Sequence, residues 1–207
     1  MLKIYGRADS LNVRKVLWMA DELALAYERE DWGRGFKDAK SPEFLQRNPF
    51  GLVPVVEDDG HIMRESHAII RYLASRHGRA DLYPTELYAR QQVEAWMDWA
   101  GADTAVPLRG VFIGGFLGQA PYNEPWFIKK GRDDLAGLMS RIDEILQHGG
   151  PYITGGQFTI ADIPLGLVVN RWFVLVPDGP KLAALAAYYD KLSERPGFMA
   201  HGRNGTP

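Results

Sequence analysis

The sequence predicts an α/β amino-terminal domain followed by an all-helical carboxyl-terminal domain. Short strand patterns alternate with helical patterns over residues 1–78, whereas apolar residues after position 86 recur only at helical spacing. A polar stretch that contains Gly78 and Pro84 lies between the two patterns. We therefore expect a linker over residues 79–86 and a helical domain over residues 87–207.

The first domain is predicted to have the element order βαβαββα. Its strand patterns cover residues 2–5, 27–31, 53–57 and 61–63, and the last two flank Asp59-Gly60, a pair that tolerates the positive φ of a hairpin turn. Helices are expected after the first strand, at Ser41-Pro42 and from Ser66, because Ser caps a helix and Pro fits its first position. A βαβ unit followed by a hairpin and a helix implies a mixed four-stranded sheet with helices on both faces.

The second domain shows apolar stripes typical of a helical bundle. The members of three stripes are Ala89, Val93, Trp96, Met97 and Ala100; Leu135, Leu138, Met139, Ile142 and Ile145; and Leu182, Leu185, Tyr189 and Leu192. The glycine-rich segment 114–118 does not follow a strand. It is therefore predicted to interrupt a helix and not to bind phosphate.

Composition excludes several classes of function. The 207 residues are 46% apolar and 24% charged, with a net charge of −2 that gives no reason to expect a nucleic acid or an anionic membrane as partner. The absence of cysteine excludes disulfides, thiolate metal sites and a catalytic protein thiol. No metal is expected. Because neither a signal-peptide pattern nor a run of about 18 apolar residues is present, we expect a cytoplasmic protein.

Two motifs in the first domain indicate a ligand site. In Val53-Pro54, the Pro cannot donate to a central ladder, and an X-Pro bond adopts the cis form at low cost. Glu65-Ser66 lies at a helix start, where free N–H groups and a hydroxyl favour a ligand carboxylate, while Glu65 can meet a ligand ammonium. Each motif, taken separately, also has a purely structural interpretation. Pro54 can simply begin a strand, and Ser66 can be an ordinary helix cap next to an exposed acid.

A third motif, Phe158-Thr159-Ile160-Ala161-Asp162-Ile163, concerns folding. Thr159 and Asp162 have the spacing of a capping box, and Phe158 and Ile163 stand at the two ends of a hydrophobic staple. Together with the Val-Pro and Glu-Ser pairs, the chain length and the element order, this segment resembles the glutathione transferases over nearly the whole chain, and most closely their Ser-type and bacterial members.

The resemblance implies a thioredoxin-like first domain that binds glutathione as co-substrate. The tripeptide is expected to lie as an extra strand against Leu52, Val53 and Pro54, with its acid end at Glu65 and Ser66. The resemblance also implies a homodimer, in which Phe50 is a candidate apolar anchor, and a role in detoxification.

Three side chains are candidates for activating the glutathione thiol. A donor aimed at sulfur favours the nucleophilic thiolate. Ser10 matches the Ser of the family's S-x-P-x-R pattern, with Arg14 in register and expected to form a salt bridge. Asn12 replaces the usual Pro and resembles the Asn of bacterial T-x-N or S-x-N subgroups. Tyr5 is the alternative, because other classes use a Tyr at the end of the first strand.

One position departs from the family pattern. Members commonly carry Gln or Lys before the Val-Pro pair, where this chain has Leu52. Asn48, Lys37 and Lys40 are candidates for the missing carboxylate contact, and His67 stands where some classes have Arg. The second substrate is expected between the two domains. Aromatic residues that line its site or belong to the core are Trp99, Phe112, Phe116 and Trp172.

Three functions remain open from the sequence. The first is a transferase that adds glutathione to an electrophilic, largely hydrophobic small molecule. The second is a glutathione-dependent reductase of disulfides or peroxides, which Asn12 favours. The third is a non-catalytic interaction module of the same fold, which Leu52 favours and the intact Ser10, Glu65 and Ser66 oppose.

Overall fold

A computed structural model describes all 207 residues and divides them into strands and helices close to the predicted ones. The strands are β1 (Leu2–Tyr5), β2 (Tyr27–Glu30), β3 (Val55–Asp58) and β4 (His61–Arg64). The helices are α1 (Leu11–Glu22), α2 (Pro42–Leu45), α3 (Ser66–Arg76), α4 (Leu87–Ala102), α5 (Ala105–Leu108), the π-helical segment (Arg109–Phe116), α6 (Pro125–Gly149), α7 (Asp162–Leu175), α8 (Ala183–Leu192) and α9 (Pro196–His201).

The sheet is mixed, as predicted, with the strand order β2-β1-β3-β4. β1 runs parallel to β2 and antiparallel to β3, and β3 pairs with β4 through a turn in which Asp59 and Gly60 both have positive φ. Adjacent residues of a strand point to opposite faces, so Ile4 joins the main core while Tyr5 packs with Trp32 and Phe44 in a small second core. Both faces of the sheet are therefore covered.

The local sequence rules account for the start of α2 and miss the start of β3. Ser41 accepts a hydrogen bond from the Phe44 N–H (3.4 Å), and Pro42 takes the first position of α2. The third strand begins at Val55 and not at Val53, because Val53 and Pro54 form an unpaired bend before it. That bend is part of the candidate active site.

Helix α1 connects the sheet to the helical half. Every residue from Val13 to Ala20 is buried. The indole of Trp18 lies between Phe158 and Phe198, with ring centroids 5.8 and 4.9 Å away. One continuous apolar core consequently runs from the sheet through α1 into α7 and α8.

The helical half contains no strand, as predicted, and its glycine-rich segment 114–118 ends a helix, although not at its first glycine. Gly114 lies inside the π-helical segment and not at a break, and the turn with positive φ comes later, at Gly118. A Cβ on Gly114 would lie 1.9 Å from the Tyr122 carbonyl oxygen, so the glycine permits close packing. No helix in this chain is both long and apolar enough to cross a membrane.

The predicted capping box forms in part. The Thr159 N–H donates to the Asp162 carboxylate (2.9 Å), but the Asp162 N–H donates to the Thr159 backbone carbonyl and not to its hydroxyl. The fully buried carboxylate also accepts hydrogen bonds from the Ile153 N–H and the Tyr188 hydroxyl, both at 3.0 Å. Asp162 therefore joins a loop, α7 and α8.

We expect Asp162→Ala to lower the free energy of unfolding by about 3 kcal/mol, because three buried donors lose their acceptor. Urea denaturation measures the change. Glu86→Ala is the control: its carboxylate caps α4 through Tyr88 and Ala89 at an exposed site, and its loss is expected to cost about 1 kcal/mol. Equal losses in the two variants would contradict this account.

Candidate active site

Two cavities lie along the amino-terminal end of α1 and meet at Asn12. The first is a small groove lined by the bend before β3 and by the start of α3. The second is a cleft of about 350 Å³ between the two halves of the chain. Asn12 lines both cavities, and Ser10 lines the cleft.

The groove has the properties needed to bind an extended peptide. The Val53–Pro54 peptide bond is cis, as the resemblance implies. The N–H and C=O of Val53 make no hydrogen bond within the protein, so an added strand can pair with them. Leu52 is 59% exposed, and its carbonyl oxygen accepts from the Asn48 side chain (2.7 Å).

Glu65 and Ser66 form the other wall of the groove. Ser66 is the first residue of α3 and is buried, whereas the Glu65 side chain is exposed. Glu65 has φ +67° and ψ 106°, a conformation that L residues adopt at a cost and that is concentrated at functional sites. The groove therefore offers helix N–H groups and one carboxylate at the same end.

Ser10 precedes α1 with its hydroxyl unused. The residue is 8% exposed, and its side chain makes no capping or other hydrogen bond within the protein. The side-chain oxygen of Asn12, Oδ1, accepts a hydrogen bond from the Lys15 Nζ (3.0 Å). This leaves the two N–H groups of the Asn12 side-chain amide free. Two donors are thus available where the groove meets the cleft.

A buried cation lies behind these donors. Lys15 is 5% exposed, and its Nζ lies 2.9 Å from His67 Nε2. Burial, reinforced by the positive charge of Arg171, lowers the pKa of Lys15 from 10.5 to about 7. Burial also lowers the pKa of His67 to about 3, so the imidazole is neutral and accepts the hydrogen bond from the ammonium.

Tyr5 and Arg14 lie outside both cavities. The Tyr5 hydroxyl donates to Glu57 (3.0 Å), and burial raises its pKa. Arg14 forms no salt bridge, contrary to the sequence expectation. Its guanidinium donates to five oxygens near the end of the chain, among them the carbonyls of Gly202 (2.7 Å) and Pro207 (3.0 Å).

The cleft contains one of the aromatic residues predicted for the second substrate. Phe112 lines it, whereas Phe116 lies on a separate depression beside α6. Trp99 packs edge-to-face on Trp96 at 5.6 Å, away from both cavities, and Trp172 is buried in the core. The sequence could not distinguish aromatic residues that line the cleft from those in the core, because both kinds of position lie on apolar faces of helices.

None of the residues considered as replacements for the missing Gln or Lys is free. Both polar groups of the Asn48 side chain hold the loop, through Leu52 and Phe50. The Lys40 Nζ donates to the Phe50 carbonyl (2.7 Å), and Lys37 pairs with Glu30. Near Leu52 the groove therefore has none of these side chains free to bind a ligand carboxylate.

Sequence reasoning missed Lys15 and Arg171, which both line the cleft. Arg171 carried a usable signal, because it is the only charged residue after Asp162 in the largely apolar helix α7. Lys15 carried none, since a lysine beside Arg14 is equally compatible with an exposed helix face.

A mixed four-stranded sheet with helices on both faces, joined to a helical half, defines a thioredoxin-like protein with a second, helical domain. Comparison with known proteins identifies the family. Residues 4–81 match the family model for the glutathione S-transferase amino-terminal domain. The glutathione S-transferase GstB of Escherichia coli K12 is 32% identical over 198 residues, which are 95% of each chain.

Solved structures agree with this assignment. The theta class glutathione S-transferase of Xanthomonas axonopodis pv. citri, crystallised with glutathione, is 35% identical with a TM-score of 0.88 over 97% of this chain and 96% of that one. The glutathione S-transferase isozyme E7 of Drosophila melanogaster is 31% identical, with a TM-score of 0.84 over 100% of this chain and 92% of that one. The chain therefore belongs to the glutathione S-transferase family and is a glutathione-using enzyme.

We expect Lys15→Met to stabilise the protein more at pH 6 than at pH 9. Below pH 7 the buried amine is charged in both the folded and unfolded states, so folding carries the full cost of burying it; above pH 7 the folded state sheds the proton and the cost shrinks. The difference between the two pH values is expected to be about 2.5 kcal/mol.

Urea denaturation at both pH values measures this difference. Lys129→Met, on an exposed position of α6, is the matched control and is expected to show almost none. A stabilisation by Lys15→Met that is independent of pH would contradict a buried, titrating amine.

Proposed function

We propose that this enzyme binds glutathione along Val53 and Pro54 and transfers it to an electrophilic small molecule held in the cleft, with Ser10 as the thiolate-stabilising donor. The observation that carries the proposal is the unengaged Ser10 hydroxyl in the wall of the cleft, two residues before Asn12, where the cleft meets the groove. In this arrangement the γ-glutamyl end of the tripeptide meets Glu65 and the start of α3. Because the reaction consumes a reduced thiol, we place the enzyme in the cytoplasm.

The reaction proceeds by displacement or addition. Glutathione loses its thiol proton to solvent, and the Ser10 hydroxyl donates a hydrogen bond to the resulting thiolate. The free amide N–H of Asn12 donates a second bond, with the amide held in that orientation by Lys15. The sulfur lone pair then forms a bond to the electrophilic carbon. In a displacement the leaving group departs with the electron pair of the broken bond; in an addition the π electron pair moves to the neighbouring atom, which takes up a proton from solvent.

We expect Ser10→Ala to lower kcat/KM with a chloronitroarene about a hundredfold, because the thiolate loses a positioned donor. Glutathione binding is expected to stay within about threefold, since the tripeptide keeps its backbone and carboxylate contacts. Steady-state kinetics against pH measures both effects, and the kinetic pKa of the thiol should rise.

Two controls sharpen this experiment. Ser10→Thr keeps a hydroxyl and should retain most of the activity, while Tyr5→Phe should change it less than about twofold because its hydroxyl is bound to Glu57. Loss in Tyr5→Phe with full activity in Ser10→Ala would overturn the assignment. Faster turnover of a glutathione disulfide than of any arene would favour the reductase instead.

We further propose that the enzyme is a homodimer in which Phe50 anchors the partner. The Phe50 side chain is 56% exposed, and the Arg64 guanidinium lies 5.2 Å from its ring centroid, so an apolar ring projects from the first domain beside a cation. Exposed aromatic rings flanked by arginine are typical of interface anchors.

Phe50→Ser is expected to shift the protein from dimer to monomer at micromolar concentration, because an interface that loses a central aromatic anchor weakens by about 2 kcal/mol or more. Analytical ultracentrifugation measures the mass. Phe36→Ser removes an equally exposed ring (55%) from the loop after β2 and should leave the dimer intact. A monomeric natural protein, or a dimeric Phe50→Ser variant, would contradict the proposal.

A further inference from the structure

The cleft has an unbalanced charge. Its wall includes five cationic side chains and no carboxylate. The cations are Arg7, Lys15, Arg34, Arg109 and Arg171. Asp9, outside the wall, pairs with Arg7 (2.6 Å) and Arg34 (3.5 Å) and offsets part of the charge on that side only. A site for a purely hydrophobic molecule has no need of this charge.

Arg171 is the most informative of these cations. It is 6% exposed, yet it forms no salt bridge and no hydrogen bond, and its Nε is buried without a partner. Its one close partner is the ring of Phe112, whose centroid lies 3.8 Å from the guanidinium carbon. Burying a charged group without an acceptor is costly, so such groups are normally paired.

Arg14 shows what a structural buried arginine looks like in the same protein. Its guanidinium is also buried, but it donates to five oxygens of the last residues of the chain. The contrast indicates that the donors of Arg171 are kept unused, and their position in the cleft wall makes them available to a ligand.

Burial and the repulsion of neighbouring arginines lower the pKa of Arg171 to about 9. The guanidinium is therefore still charged at neutral pH. An anion that entered the cleft would relieve this repulsion and gain charge-assisted hydrogen bonds.

We propose that the electrophile is an aromatic carboxylate whose anionic group pairs with Arg171 while its ring lies against the apolar wall of the cleft. This inference rests on the transferase function proposed above and names its substrate class. The remaining walls, Leu11, Leu108, Ile113 and Leu117, are apolar and suit the body of such a molecule.

A suitable probe is 4-chloro-3-nitrobenzoate, with 4-chloro-3-nitrobenzamide as its neutral counterpart. In both, the glutathione thiolate forms a C–S bond at the ring carbon that bears chlorine, the C–Cl bond breaks, and chloride leaves with the electron pair. The thiol proton goes to solvent. The two probes differ in charge and hardly in shape, so the amide corrects for every effect that is independent of the anion.

Arg171→Met is expected to lower kcat/KM for the benzoate about tenfold or more, mainly through KM, while the benzamide changes less than about twofold. Arg171→Lys should recover part of the loss, because it restores the charge without the planar donor fork. Arg141→Met, on an exposed position of α6, should change neither substrate. Thermal melting verifies that each variant is folded.

Equal losses for both probes would overturn the proposal, because Arg171 would then act on the thiolate, on glutathione or on the fold. If the natural enzyme turned over neither probe, the transferase function would fail separately, and calorimetric titration with the benzoate would still decide the anion site. Binding at least tenfold tighter to the natural protein than to Arg171→Met supports the site, and equal binding rejects it.

Discussion

Helix α1 is held on every side, and the geometry of the site depends on that restraint. Arg14 donates to the carbonyl oxygens of the last residues of the chain, and Trp18 is wedged between Phe158 and Phe198. Both side chains contact residues of the helical half, and α1 packs on α7 and α9, so the helical half holds α1 in a fixed orientation. The amino-terminal turn, with Ser10 and Asn12, is therefore presented where the groove and the cleft meet.

The same restraint orients the two donors that we propose for the glutathione thiol. A donor stabilises a thiolate only when its direction is set before the ligand arrives. Lys15, one turn into α1, donates a hydrogen bond to the side-chain oxygen of Asn12. The N–H groups of the same side chain are therefore left for a ligand. Below its pKa of about 7, the Lys15 ammonium adds positive potential close to the helix amino terminus, and both effects would favour the charged form of a bound thiol.

This positive potential has a cost in stability. Lys15 and Arg171 are buried without a carboxylate partner, and burial lowers the pKa of each, to about 7 and about 9. A protein that retains such charges keeps its site less stable than an apolar one would be. In the proposed function this cost has an explanation, because a thiolate in the groove and an anionic group in the cleft would both lower the energy of these cations on binding.

The sequence by itself determined the parts of the protein that depend on neighbouring residues. The Asp59-Gly60 turn, the Ser41 cap, the element order and the Val-Pro and Glu-Ser pairs follow from local backbone preferences and were predicted, as was the family. Only the tertiary structure separated Tyr5, bound to Glu57, from the unengaged Ser10, and only it brought Arg171 of α7 against α1. Hydrogen-bond partners and electrostatic surroundings depend on residues far apart in the chain, and no local pattern records which distant groups will meet.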